Sequence, residues 1–425
     1  MSIARTLSFA GLAGSIFASV LAAQACGGSS TTETPADGGS SKGSSSHSTS
    51  GSSATTGTTG SKGSSTTTTT TTSSTTTTTM ASNTPMPADA GGLPPAMMGN
   101  PTTSTQVHNF AIHHLYVGDD DPTPSYTADP NAWKTIGFNL DGLDTTSKST
   151  NVCTPYTKGQ TAQQADGANG IDNAFGAIVV QALGQLGLNL SQTVSEKIIG
   201  GSFTIEIDTK GLDSTNTSLS ATALGGQLFA GGAYTGGAPP LTGNYFSITD
   251  NWPVDQALLA NGTIAGGSKL VFPAAYVTNG TWVSGTPINL SLALSLEGQT
   301  LSLTIHHALI SFDYSVSGSQ GLATKGIIAG VLETQEFITA INQVLGGISG
   351  GSYCSLAQSL FFPTILGAQD IIINADGSVS NTAGTACNGI SIGLAFDADE
   401  IAVPSVIAAG SDAGTLKPCP GADAG

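Results

Sequence analysis

The chain has 425 residues, a formal net charge of −17 and only 9% charged residues, with Gly, Ser, Thr and Asn in their place. This balance excludes nucleic acid as a partner, because phosphate binding needs clustered Lys and Arg, and Arg5 is the sole arginine. The roughly 320 residues after about position 105 can build one large domain or two small ones, and the abundance of turn formers points to strands.

Met1 to Arg5 is a short basic start, followed by an apolar run from Leu7 to Ala23. The run is too short to span a bilayer and has the form of an export signal. It ends Ala23-Gln24-Ala25-Cys26-Gly27-Gly28. Ala-x-Ala suits an ordinary signal peptidase. A small residue before Cys, followed by Gly-Gly-Ser-Ser, resembles a bacterial lipobox, although Ala23 stands where Leu is preferred and Gln24 where a small residue is. Both readings cut before Cys26. Of the five cysteines, Cys153, Cys354, Cys387 and Cys419 suffice for two disulfides in an exported chain, which leaves Cys26 as the lipidation site. Acyl chains contribute about 0.8 kcal/mol per buried CH₂, and more than one chain makes the anchor stable. By resemblance to lipoprotein sorting, Gly27 in place of Asp directs the protein to the outer membrane or cell surface of a Gram-negative bacterium.

From Cys26 to about residue 104 the composition is Ser, Thr and Gly, almost pure Ser and Thr between Ser64 and Met80. Such a stretch has too few large apolar side chains to offset the entropy of ordering. It reads as a disordered stalk, about 45–50 Å end to end on average as a flexible coil and up to about 250 Å stretched. The expected division is a signal peptide at 1–25, a lipid-anchored stalk at 26–104 and a β-rich extracytoplasmic domain at 105–425.

The domain opens with a strand, Phe110 to Val117, ended by Gly118-Asp119-Asp120-Asp121-Pro122. Then come Trp133-Lys134-Thr135-Ile136-Gly137-Phe138-Asn139-Leu140-Asp141-Gly142 and, after Cys153, Asp166-Gly167-Ala168-Asn169-Gly170-Ile171-Asp172-Asn173-Ala174-Phe175-Gly176. Over 107–180 these motifs resemble a set of secreted myxobacterial lipoproteins. That resemblance implies export and lipidation and brings no activity with it. Taken as chemistry, Asp119, Asp121, Asn139, Asp141, Asp144, Asp166, Asn169 and Asp172 offer the hard oxygens that calcium collects six to eight at a time. No segment has EF-hand order, so a calcium site would be composite. The competing reading takes the same residues as Asx-turn formers.

Ala174 to Ile199 carries apolar residues at three-to-four spacing, which predicts an amphipathic helix or two helices broken at Gly187. Phe203 to Asp208 alternates as a strand, with Glu206 and Asp208 on one face about 6–7 Å apart. Paired carboxylates near that spacing are the tools of glycoside hydrolysis. The plainer expectation is an exposed face with Ile205 and Ile207 inward.

Further strands are expected at Tyr245–Thr249, Leu270–Phe272, Thr281–Val283, Ile288–Leu296, Leu301–Ile310 and Phe312–Val316, with a hairpin that sets Leu290, Leu292, Leu294 and Leu296 against Leu301, Leu303 and Ile305. His113-His114 and His306-His307 are each adjacent on a strand, which places the two rings of each pair on opposite faces. A Zn²⁺ or Cu²⁺ site would need one His from each pair on neighbouring strands. Glu333 to Leu345 predicts a second helix. Gly347-Ile348-Ser349-Gly350-Gly351 matches a nucleophile elbow only formally, since no His follows His307. Cys354 and Cys387 flank an apolar segment, Leu356 to Ile373, and Asp376-Gly377 reads as a hairpin turn. Three disulfide connectivities are possible, and Cys354–Cys387 with Cys153–Cys419 is the preferred one.

The expected fold is mainly β with some α, a sandwich or open barrel with two amphipathic helices behind a disordered Ser/Thr stalk. The expected function is a non-catalytic binding or structural module, calcium-stabilised, anchored in the membrane and meeting surface polysaccharide or protein. The rivals are a carbohydrate-active β-sandwich, either a hydrolase or a lectin displaying Trp133, Trp252 or Trp282, and a carrier with an apolar interior cavity.

Overall fold

The structure, a computed structural model, describes residues 92–408 except 124, 126, 157–163, 185–188, 214–218, 221–223, 235–245, 297–298 and 348–353, and also residues 418–419. The expected signal peptide, Cys26, the stalk through residue 91, Gly187, Tyr245 and the Gly-x-Ser-x-Gly stretch past Gly347 lie outside the described residues, and Phe246–Thr249, expected as part of a strand, runs into a turn instead.

The fold is mainly β. Its strands are β1 (Asn100–Pro101), β2 (Val107–Tyr116), β3 (Thr204–Lys210), β4 (Leu219–Ser220), β5 (Gly225–Gly231), β6 (Leu270–Phe272), β7 (Tyr276–Thr278), β8 (Thr281–Val283), β9 (Ile288–Leu296), β10 (Gln299–Ser317), β11 (Gln320–Glu333), β12 (Ile372–Ile373), β13 (Val379–Ser380) and β14 (Gly389–Ile401). Among the described residues twelve of them form one curled, mainly antiparallel half-barrel in the order β1-β4-β7-β8-β10-β11-β14-β2-β3-β5-β6, with β9 also on β10. The pair β12–β13 stands apart as a hairpin around Asp376-Gly377, where Gly377 takes φ +82°.

Alternation builds this sheet. In β10, Leu301, Leu303 and Ile305 are buried while Ser302 is exposed. The expected hairpin forms in the expected register, Leu294 opposite Leu301, Leu292 opposite Leu303 and Leu290 opposite Ile305. The two strands expected at 301–310 and 312–316 are one continuous strand, with irregular register against β11 at 306–309 and 311–313. Rings pack together in the core against this sheet. Trp282 stacks on Phe312 at 5.0 Å, Phe110 meets Phe312 at 5.3 Å and Phe272 meets Trp282 edge-on at 5.9 Å. Trp252 and Trp282 are fully buried, so two of the three tryptophans considered for glycan display are core residues. Trp133 is half-buried beneath Lys134.

Helices close the remaining side. The segment 174–199 forms a helical stretch, Phe175–Val180 continued by Gln181–Gly184, and then α1 (Leu190–Ile199). Beyond its apolar Val194 and Ile198, α1 turns Ser191 and Ser195 onto β2, where their hydroxyls accept from the amides of Val117 and Leu115. The pairing of β2 with β3 stops at Ala111, so these hydroxyls satisfy amides that no strand reaches. The second expected helix is α2 (Thr334–Gly347), which buries Phe337, Ile338 and Val344. A third helical region, 354–367, ends in α3 (Phe362–Gly367), where the sequence shows only an apolar segment.

Residues 92–102, expected in the stalk, pack against the sheet and its neighbouring segments. Asn139 N–H donates to Gly92 O, Tyr276 OH to Pro95 O at 2.7 Å and Thr278 OH to Ala96 O at 2.8 Å. β1 then pairs with β4, and Thr102 OH bonds Gly211 O at 2.7 Å. This strap is thus held mainly through its own backbone carbonyls, which any sequence supplies.

At Gly393 the Asp/Asn-rich front packs onto β14. Asn173 accepts from the Gly393 amide at 3.1 Å and donates to its carbonyl at 3.2 Å, and an added Cβ would run into the Ile136 carbonyl oxygen. Gly393→Ala is therefore expected to destabilise the domain by about 2–3 kcal/mol as an overpacking change. Denaturant melts test this, and an unchanged midpoint would refute it.

Candidate functional site

The front segments fold back on each other through their own polar side chains. Asn139 Oδ1 accepts from Gly142 N–H at 2.6 Å, and Asp141 Oδ1 from Leu143 N–H at 2.8 Å. Phe138 bridges to Asp172, whose Oδ2 accepts from the amides of Leu140 at 2.6 Å and Asp141 at 3.3 Å. Asp166 Oδ2 accepts from Thr145 N–H at 2.5 Å. The first two are local Asx contacts and the others span 21 to 32 residues, and together they gather Asp141, Asp166 and Asp172 into one place.

A fourth carboxyl joins from far along the chain. Asp370 accepts from Ser391 N–H at 2.9 Å and Ser391 OH at 2.5 Å, and Ser391 in turn accepts from Ala174 N–H at 2.8 Å. Asn381 links the groups by donating to Asp141 Oδ2 at 2.8 Å and to Asp370 O at 3.2 Å. Burial first, and then the charges of the neighbouring aspartates, pushes Asp166 up to about 8 and holds Asp172 well above its ordinary value. Burial likewise pushes Asp370 up to about 7 and raises Asp141. Among the described residues no group of three His, Cys, Asp or Glu side chains is arranged to hold a metal ion.

The other candidate calcium ligands lie differently. Asp119 accepts from the amides of Leu190 and Ser191 at the start of α1, and Asn189 caps the same helix while donating to Asp120 at 2.7 Å. Asp121 and Asn169 are exposed, Asn169 at φ +57° in a turn. Asp144 is exposed but close enough to add its charge to Asp166. Asp370, Asn381 and Ser391 were missed in the sequence. A lone acid inside the apolar run 356–373 was the available signal, since a buried carboxyl requires partners.

Glu206 and Asp208 correct the expectation of an exposed face: Glu206 is 0% exposed and Asp208 7%. Phe229, opposite Glu206 in register, packs with Val254 and Leu259, and Asn109 donates both to Glu206 at 2.7 Å and to Ala402 O at 3.1 Å. The outer side of β3 is therefore roofed by chain from the 250s and from just past β14. Burial pushes Glu206 up to about 8 and Asp208 up to about 6.

The histidine pairs also depart from simple alternation. The register of β2 on β14 passes from Ile112–Ala398 to His114–Asp397, leaving His113 as an extra, bulged residue. Both rings then share one neighbourhood, Nδ1 to Nδ1 at 2.7 Å, with His113 Nε2 3.7 Å from Asp399. Burial lowers His113 to about 3, helped by the charge of His114, and lowers His114 to about 4. A shared metal between the two pairs has no basis in the topology, because β14 and β11 separate β2 from β10. His306 Nε2 instead meets Glu336 at 2.8 Å, and His307, at φ +53°, meets Gly377 O at 3.2 Å.

All four domain cysteines pair, but not as preferred. The bonds are Cys153–Cys387 and Cys354–Cys419. Thr154 bridges to Ala386, and Cys387 N–H donates to Thr154 O at 3.0 Å, which sets Cys153 and Cys387 side by side. Cys354 is only 33 positions before Cys387, but α3 and the β12–β13 hairpin intervene and lead the chain to the Thr154 edge.

Comparison with family models, with curated proteins and with solved structures finds no match for this chain.

Proposed function

We propose that this protein is exported and lipid-anchored through Cys26, and that it presents its β-rich domain at the cell surface as a non-catalytic binding or structural module. The two disulfides carry the reading. Such bonds persist in oxidising compartments, and they use every domain cysteine, so that Cys26 alone is left for acylation. The non-catalytic part draws support from Glu206 and Asp208, the carboxylates a sugar hydrolase would use, which lie under a roof of chain. Among the described residues, the rings packed together in the core likewise leave no apolar interior of the kind a carrier would keep open around them.

Calcium stabilisation is the second part of the proposal. Four carboxyl groups act on one another at the front, and the neighbouring charges that raise them are all acidic. Calcium suits such hard oxygens and also takes carbonyl and amide oxygens as ligands.

Fractionation tests the anchor. The wild type is expected in the outer-membrane fraction with an acylated N-terminal Cys26, and Cys26→Ser is expected in the soluble exported fraction. Equal retention of both would refute lipidation at Cys26.

A further inference from the structure

A groove lies away from the acids and histidines, where α2 leans over the first half of β10. It is shallow and wide open to solvent, with a volume of about 460 Å³. Ser302 and Thr304 of β10, Glu333 at the end of β11, and Glu336, Thr339 and Gln343 of α2 line it. The spacing of 336, 339 and 343 puts those three side chains in one row along the helix. Ser302, Thr304 and Glu336 also border a recess of about 40 Å³, closed by Leu303, Leu332 and Phe337.

The walls are held in place. Thr334 N–H and OH both donate to Asn388 O, at 3.0 and 2.7 Å, and Phe337, Ile338 and Val344 fix α2 to the core. Glu336 N–H donates to Glu333 Oε2 at 2.7 Å, while the Glu336 carboxylate meets His306 Nε2 at 2.8 Å. The helix that carries the lining is thus fixed in place, and a fixed backbone loses little freedom on binding.

The chemistry of the lining selects the ligand. Hydroxyl, amide and carboxylate groups suit vicinal hydroxyls, and a shallow groove suits a short saccharide held along one side. Glu333 and Glu336 are both acidic, as is the chain at −17, so an acidic sugar would be repelled. The recess is apolar on one side and polar at its border, with room for one small group such as a methyl. We infer that this groove binds a short uncharged saccharide bearing an acetamido group, its hydroxyls on the polar walls and its acetyl methyl in the recess. The inference rests on the reading of the domain as a surface binding module.

Calorimetric titration of the full chain tests it with three probes. N,N′-diacetylchitobiose is expected to bind. Cellobiose, which lacks the acetamido group, is expected to bind roughly tenfold or more weakly. The N-acetylglucosamine–N-acetylmuramic acid disaccharide, which adds a carboxylate, is expected to be weakened similarly, and this separates a chitin-type source from a wall-type one. Ser302 and Gln343 are exposed, so Ser302→Tyr and Gln343→Ala should keep the melting temperature while weakening diacetylchitobiose about tenfold or more. No binding of diacetylchitobiose, equal binding of cellobiose, tighter binding of the acidic disaccharide, or full binding by Ser302→Tyr would each overturn the assignment. Membrane retention through Cys26 is independent of all these readings, so intact retention with no sugar binding sinks this site alone.

Discussion

In EDTA, the melting temperature is expected to fall as pH rises from 6.5 to 8.5. Glu206, Asp166 and Asp370 have folded pKa values near 8, 8 and 7, against ordinary values of 4.5, 3.8 and 3.8. A carboxyl raised in the folded state adds stability that is fully present below its unfolded pKa and is lost as pH climbs through its folded pKa. His113 and His114, lowered to about 3 and 4, act in the opposite sense, but only below their ordinary 6.5, as pH falls toward their folded values. The limb above 6.5 therefore belongs to the acids. Its size is on the order of 3 kcal/mol, discounted for the partial exposure of Asp166, or about 5–10 °C in a domain of this length. Glu206→Gln keeps the shape and removes one titration, so it is expected to flatten the slope. Saturating Ca²⁺ favours ionised aspartates and is expected to raise the melting temperature most at pH 8.5. A flat or rising melt between pH 6.5 and 8.5 in EDTA would refute proton uptake on folding. Indifference to Ca²⁺ at pH 8.5 would remove calcium and leave the proton account standing.

Removing the Cys153–Cys387 bond is expected to be the most damaging covalent change. It closes 234 residues, and chain-entropy reasoning assigns about 5 kcal/mol to a loop of that length, against about 4 kcal/mol for the 65 residues between Cys354 and Cys419. Total stabilities of domains run from about 5 to 15 kcal/mol, so the double variant Cys153→Ser/Cys387→Ser should lose a large share of its stability. The bond also stands beside the front, where Cys153 N–H donates to Asn381, the residue that links Asp141 and Asp370. Non-reducing peptide mapping should recover Cys153 with Cys387 and Cys354 with Cys419. A Cys354–Cys387 peptide would refute the pairing, and a double variant melting within a degree or two of wild type would refute its weight.

Much of the sheet was legible because alternation is a local signal. Leu290 to Leu296 against Leu301 to Ile305 declares two strands, a turn and a register at once. What alternation does not declare is the occupant of the outer side. Ile205 and Ile207 face inward as expected, but the other side of β3 is covered by chain some 45 and 195 positions later, near residues 250 and 402. The histidine pairs were misread for a related reason, since one bulged residue at His113 cancels the period of two. At the front, composition marked Asp141, Asp166 and Asp172 but scattered attention over Asp119, which serves α1, and Asp121, which is exposed. Asp370 arrives from another part of the chain and leaves no local pattern. The pairing of the cysteines is equally non-local, and sequence proximity favoured the wrong partner.

The position of β14 bears on how the protein can be made. This strand, residues 389–401, lies between β11 and β2, and β2 is the first long strand of the domain. Synthesis proceeds from the N-terminus, so β2 and β3 must wait for almost the entire chain before the edge of β2 finds its partner. Until then β2 presents unpaired amides and carbonyls to any passing strand. Pairing over so long a separation is intrinsically slow. The domain thus comes together late and from its end, and a chain truncated between residues 333 and 389 would leave two half-sheets, one with β11 and the other with β2 as an open edge.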